Sequence, residues 1–367
     1  MTIGELLKTI NTHVPFNTAE SWDNVGLLIG DKANKVTGIL TALDCTEEVV
    51  DEALNKGYNT IICHHPLIFK GIKNITQQEG YGLIIRKLIK HDINLIALHT
   101  NLDVYPKGVN AMLSDKLGLE KQQILNPEII SYYKVQVFIP EENLNDFKDV
   151  LSEAGVAQEG DYRYCFFESP GIGQFKPVDN ADPHIGEKGQ ISHVQEYKLE
   201  FMIDHTQKTL TQDLIIQHHP YETPVYDFIE LTKQANYGLG MIGKLNEVMT
   251  VEKFVSHVKE RLKMPSVRFS GDLNANIETV AIVGGSGIGF EYTASHKGAD
   301  IFVTGDIKHH DALDAKIAGV NLLDINHYSE YVMREGLCQL LEDWLNEDDK
   351  IFNIEASEIN TDPFEYL

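Results

Sequence analysis

Asn59-Thr60-Ile61-Ile62-Cys63-His64-His65-Pro66 decides how this chain is read. A short apolar run bounded by polar residues reads as a buried strand. Pro66 holds His65 in an extended or turn conformation, so the strand ends there. Neighbours in a regular strand point to opposite faces; where a strand passes into a loop, both imidazoles can turn into one pocket. Upstream, residues 36–44 (VTGILTALD) predict another strand, and 46–56 (TEEVVDEALNK) a helix. Thr46 is its N-cap, acids fill its first turn and Gly57 stops it. Downstream, 82–91 (GLIIRKLIKH) predict a helix and 94–99 (NLIALH) a strand leading to Asp103. Strands alternating with helices imply a largely parallel sheet. Open α/β sheets carry their chemistry in the loops at the carboxyl ends of such strands.

The last third repeats the scheme. Residues 279–283 (TVAIV) predict a strand entering the loop Gly284-Gly285-Ser286-Gly287, then a helix reaching Ser295. Lys297-Gly298 and the apolar run to Thr304 match Lys56-Gly57 and the run to Cys63, a weak internal duplication. A pseudo-two-fold pair of α/β lobes would bring two half-sites face to face. The first half-site is His64-His65 with His99 and Asp103. The second is Asp324-Ile325-Asn326-His327-Tyr328-Ser329-Glu330. His327 and Glu330 share one face of a helical turn. Three imidazoles and two carboxylates make a donor set for one or two divalent cations, two being favoured, with Glu330 the expected bridge.

Between the lobes, roughly 129–235, lies a different pattern. Strand 134–140, helix 142–154, strand 162–168, a Gly- and Pro-rich stretch 169–189, strand 197–203 and a helical run from Thr209 follow in order. This predicts a ferredoxin-like α+β insert domain. The divisions expected are an N-terminal lobe 1–128, the insert 129–235 and a C-terminal lobe 236–367.

At 367 residues the chain exceeds one ordinary core. Its net charge of −24 excludes a nucleic-acid partner held by phosphate neutralisation. Acidic runs at Glu342-Asp343 and Glu347-Asp348-Asp349 read as a solvated helix face and tail. No stretch approaches the roughly 20 apolar residues of a membrane span. The start reads as an amphipathic helix rather than a signal peptide. Four cysteines without a C-x-x-C pair argue against a zinc knuckle or a disulfide framework and fit a reducing cytoplasm. No G-x-S-x-G elbow or Walker A string is present.

SWDNVGLLIG at 21–30, CHHPLIF at 63–69, HTNLD at 99–103, the 284–287 glycine loop, TGDIKHH at 304–310 and HYSE at 327–330 resemble the GTP cyclohydrolase 1 type 2 homolog family. These are also called NIF-three-like proteins. The resemblance covers both lobes. The insert resembles the PII-like or CutA-like domain of the longer bacterial members. The resemblance implies a dinuclear metal centre, with His64, His65, Asp103, His327 and Glu330 as ligands. It implies a toroidal homohexamer built from dimers and, by the family's name, a purine nucleotide as substrate. Zinc is the first metal expected, and Mn, Fe, Co or Ni suit the same donors.

Other residues keep two readings. His99 orients a ligand, lines the substrate pocket or is structural, and His99 and His310 are the candidate catalytic groups. Asp306, His309, Asp23 and Asn24 are candidate cavity linings. The glycine loop presents N–H groups to an anion or, as favoured, makes a tight strand-to-helix turn. His218-His219-Pro220-Tyr221-Glu222 repeats the His-His-Pro string without a second liganding segment, and reads as structural or specific to the insert. Two functions fit: a metal-dependent hydrolase of a nucleotide-like or phosphoester substrate, and a non-catalytic metal-binding regulatory assembly with the insert as sensor.

Overall fold

Ile39–Ala42, Thr60–Cys63 and Asn94–Ala97 are buried along their whole length, as strands covered on both faces must be. They pair in parallel, Ile39 opposite Thr60 and Thr60 opposite Asn94. Gly26–Ile29 runs antiparallel beside Asn94–Ala97. The helix between the first two strands, Glu47–Lys56, has its Thr46 side chain accepting from the Val49 N–H. It ends at Gly57 with φ 74°, a left-handed turn that glycine adopts at little cost. These elements belong to a computed structural model that describes residues 1–76, 81–347 and 353–366. Asp348 and Asp349 of the acidic run lie outside the described residues.

The chain divides into two units, one of Met1–Glu128 with Asn236–Leu367 and one of Ile129–Ala235. In the larger unit a second sheet repeats the topology of the first. Asn276–Ile282, Ile301–Thr304 and Leu322–Asp324 are parallel, and Arg268–Ser270 runs antiparallel beside the last of them. Each set of three is preceded by an amphipathic helix with a threonine cap: Ile3–His13 capped by Thr2 and Val251–Arg261 capped by Thr250. The buried faces of these helices, Ile3, Leu6 and Ile10 with Phe254 and Val258, meet side chains of both sheets in one shared core. The lobes are thus pseudo-symmetric halves of one unit. One element departs from the division read in the sequence. Ile354–Ala356, near the C-terminus, pairs in parallel with Ile39–Thr41 and completes the first sheet.

The smaller unit has the element order β-α-β-β-α-β. Its strands are the distal half of Glu120–Pro140, then Phe166–Phe175, Ser192–Asp204 and the first part of Tyr226–Thr250; its main helices are Leu144–Glu153 and Lys208–His218. The spatial order of the strands is second, third, first, fourth. Strand Phe166–Phe175 extends well into the Gly- and Pro-rich stretch that begins at Ser169. It pairs residue for residue with Ser192–Phe201, and it is an edge strand, where Pro170 removes no needed donor. Val135, Val137 and Ile139 alternate into a core with Phe147, Leu151 and Phe201. No helix among the described residues is long and apolar enough to cross a membrane.

Candidate metal centre

Every group of this centre leaves the carboxyl end of a parallel strand. Asp44 follows Ile39–Ala42, His64 and His65 follow Thr60–Cys63, and His99 and Asp103 follow Asn94–Ala97. In the second sheet the 284–287 loop follows Asn276–Ile282, Asp306 follows Ile301–Thr304, and His327 and Glu330 follow Leu322–Asp324. The pseudo-symmetry turns these two edges toward each other.

Glu330 is the meeting point. Its Oε2 lies 3.2 Å from His65 Nε2, 3.3 Å from His327 Nε2 and 3.7 Å from His64 Nε2. His64 Nε2 is also 3.5 Å from Asp103 Oδ1, and the Nε2 atoms of His65 and His327 are 3.3 Å apart. Three ligand-type groupings result: His64 with Asp103 and Glu330, His65 with His327 and Glu330, and His64 with His65 and His99. All five residues expected as ligands therefore converge, although Glu330 lies more than 200 residues beyond His65.

Each imidazole is oriented from behind. His64 Nδ1 donates to the Leu98 carbonyl (2.8 Å), His65 Nδ1 to Asp44 Oδ1 (2.7 Å) and His327 Nδ1 to Asp306 Oδ2 (2.7 Å). A proton on Nδ1 leaves the Nε2 lone pair facing inward, the tautomer a metal ligand needs. His64 is fully buried, and its Nε2 has no hydrogen-bond partner. A buried nitrogen without a donor is costly, and a cation there would satisfy it. The set of N and O donors fits a divalent ion.

Burial opposes charge on these groups, and their mutual contacts outweigh it. His65 is pushed up to about 10 by Asp44 and Glu330. The hydrogen bond to Glu330, helped by Asp306, pushes His327 up to about 9. Despite its burial, Glu330 is held well below the usual carboxylate range by the three histidines. Burial pushes Asp103 up to about 6 against the pull of His64. The cluster is built to hold positive charge at its centre, supplied by protons or by a metal. Burial pushes the Cys63 and Cys45 thiols up, so neither is a ready thiolate ligand or nucleophile.

The glycine loop serves Glu330. Gly284 N–H donates to Asn110 Oδ1 and Gly287 N–H to Thr304 Oγ1, so these donors are used within the protein rather than offered to an anion. A β-carbon on Gly285, at φ 59°, would stand 2.7 Å from Glu330 Oε1. Asn110 also donates to the Asp103 carbonyl and so ties the two half-sites together. Sequence reading missed Asn110 and Asp44, since nothing local marks either as a partner.

Of the other candidates, His99 is fixed by Asp23, whose Oδ1 receives its Nδ1 at 2.9 Å while Oδ2 receives Thr100 N and Oγ1. These contacts hold Asp23 ionised well below the usual range against the effect of burial. Asn24 Nδ2 donates to the Ile68 carbonyl. His310 is exposed at the head of helix His309–Ile317, beside His309. Neither residue lines the cleft of about 670 Å³ outside His65 and His327. Arg268, Tyr81, Tyr328 and the tail segment 361–366 do line it, and Arg268 pairs with Asp324.

The decoy string resolves in the smaller unit. His219 is buried; its Nδ1 accepts from Tyr221 N–H, and its Nε2 donates to the Phe138 carbonyl. With both ring nitrogens engaged it offers no lone pair, and His218 is exposed.

The family model for Duf34/NIF3 (NGG1p interacting factor 3) matches residues 1–363. A GTP cyclohydrolase 1 type 2 homolog of Staphylococcus aureus is 62% identical over 367 residues, all of both chains. The crystal structure of Staphylococcus aureus protein SA1388 superposes with a TM-score of 0.88 at 58% identity, covering 100% of this chain and 99% of that one. A Bacillus cereus protein related to NIF3 gives a TM-score of 0.74 at 38% identity, with the same coverage.

Proposed function

This chain belongs to the Duf34/NIF3 family, and on that premise we propose that its centre binds two divalent cations and serves a metal-dependent hydrolase of a nucleotide-like or phosphoester substrate. The observation that carries this is the orphaned, fully buried His64 Nε2 among four other inward-facing donors. His64, Asp103 and Glu330 would hold one ion and His65, His327 and Glu330 the other. Divalent cations there would supply Lewis-acid polarisation and a more acidic water. His99, steadied by Asp23, would hold or move a proton beside His64 and His65. The cleft beyond, about 670 Å³, lies within the roughly 300–1,000 Å³ of small-molecule sites and has aromatic walls at Tyr81 and Tyr328. Its carboxylates Asp44, Asp306, Asp324, Asp362 and Glu365 outnumber Arg268, so an anionic substrate would depend on the metals for attraction.

Zinc is the first metal proposed. The proposal extends to a ferredoxin-like, PII-like character for the insert, which its β-α-β-β-α-β order supports. It extends also to a cytoplasmic, toroidal homohexamer. A net charge of −24 per chain requires apolar interfaces to overcome repulsion, and Leu313 and Ile317 on helix His309–Ile317 are exposed. Light scattering of metal-loaded protein at micromolar concentration should give six times the chain mass; a monomer would refute the ring.

The centre is tested by elemental analysis. Wild type should carry close to two ions per chain, and the double variant His65→Ala with His327→Ala should lose most of them. Unchanged metal in that variant removes the assignment. A screen of nucleotides and phosphoesters with the metal restored then tests hydrolysis; metal without turnover would favour the non-catalytic assembly.

A further inference from the structure

The smaller unit holds a cleft of about 500 Å³ that the metal centre does not use. That volume is in the range of small-molecule sites, roughly 300–1,000 Å³. Its walls include Phe138, Phe175, Pro177, Tyr221 and Val225. Among the polar groups facing it, Glu196 alone is buried, at 8% exposure. Glu196 Oε1 accepts the Tyr221 hydroxyl at 2.7 Å, and Oε2 has no hydrogen-bond partner among the described residues. The residue is mostly buried while Oε2 stays open to the cleft, so a ligand that supplied a donor there would replace hydration the carboxylate has largely lost. The sequence makes room for it, since a β-carbon on Gly173 would stand 2.0 Å from Oε2.

The cleft is preformed. His219 joins two of its walls, donating to the Phe138 carbonyl (2.8 Å) and accepting from Tyr221 N–H (3.1 Å). Its ring also packs edge-on against Tyr221, centroids 5.1 Å apart. The string 218–222, which the metal centre left unexplained, is thus the brace of this cleft.

The charge of the occupant follows from burial. Lys176 and His184 line the rim but are exposed, so water screens them. Glu222 is exposed too, and its Oε1 accepts from Asp182 N–H at 3.1 Å. The buried carboxylate sets the sign where a ligand would be desolvated. Aromatic faces beside it favour a cation as well. The geometry points to a binding site for a small organic ammonium compound, its N–H groups on Glu196 Oε2 and its apolar body against Phe138, Phe175 and Tyr221.

Tryptamine is a suitable probe, titrated calorimetrically into the full-length, metal-loaded protein. Indole-3-propionate, similar in size and opposite in charge, is the comparison. Tryptamine should bind with micromolar to millimolar affinity and indole-3-propionate at least 10-fold more weakly. Glu196→Gln keeps the shape, removes the charge and should weaken tryptamine at least 10-fold. Val225→Arg, at an exposed wall position, places a resident cation by the carboxylate and should abolish binding without touching Glu196. Wild type that ignores tryptamine, or binds both probes alike, overturns the site. So does unchanged affinity in either variant. Should Glu196→Gln not fold, Val225→Arg decides alone.

Discussion

Glu330 shows what one glycine contributes. Its carboxylate reaches three imidazoles because the chain opposite has no β-carbon at Gly285. Gly285→Ala should therefore do two things. A left-handed φ costs a non-glycine residue roughly 1–2 kcal/mol, and the new methyl, 2.7 Å from Glu330 Oε1, turns the carboxylate away. Gly298→Ala is the matched control, with φ 84° and nothing within 4 Å of the added carbon. Both variants should lose similar stability in thermal unfolding, but only Gly285→Ala should lose metal in competition with a chelator. Equal metal retention would separate the loop from the centre. At this scale the sequence was legible in part. His64, His65, Asp103, His327 and Glu330 stand out as chemistry-bearing types in strings. Asp44 meets His65 and Asp306 meets His327 across 21 residues of sequence, and Asn110 reaches the second half-site across 174. No local pattern encodes such a partner, though Asp306 was singled out as a cavity lining.

Among elements, buried parallel strands were the most readable, because an apolar run between capped helices has few alternatives. Thr46 and Gly57 marked their helix ends by mechanism: a side-chain acceptor and a left-handed φ. Edge elements were less readable. Phe166–Phe175 contains Pro170, Gly171 and Gly173, yet cross-strand bonding to Ser192–Phe201 holds it extended. Ile354–Ala356, only three residues long, shows no period from which a strand could be read. The turn after helix Lys208–His218 makes its own prediction. Burial disfavours a proton on His219 and lowers its pKa, and a second proton would also break the bond from Tyr221 N–H. The unfolded imidazole takes its proton near 6.5. With the folded value depressed, the stabilisation is complete above that pH and is lost as pH falls toward the folded pKa, at no more than about 1.4 kcal/mol per pH unit. Denaturant unfolding at pH 7.5 and 5.5 should show wild type losing stability faster than His219→Gln. Parallel losses would mean that His219 titrates normally.

For the whole molecule, the duplicated topology matters most, because it sets two carboxyl-end strand edges opposite each other and makes one centre from distant segments. The smaller unit contributes none of those residues. Its connections are the strands Glu120–Pro140 and Tyr226–Thr250, which leave the larger unit side by side. A β-carbon on Gly238 would stand 2.3 Å from the Asn126 carbonyl oxygen and 2.9 Å from Glu128 N. The two chain ends exposed by removing the insert would therefore already be neighbours, and a short flexible linker from Asn126 to Asn236 would close the gap without strain. Closure of so short a loop costs little entropy, and the shared core of the larger unit, from Ile3 to Ile354, loses no member. The joined chain should fold with a cooperative thermal transition and bind as much metal per chain as the full protein. It should also lose any response to tryptamine. Elemental analysis and calorimetry of the purified shortened protein test this together. A collapsed transition with lost metal would mean that the insert stabilises the core of the larger unit, and that the centre depends on the whole chain.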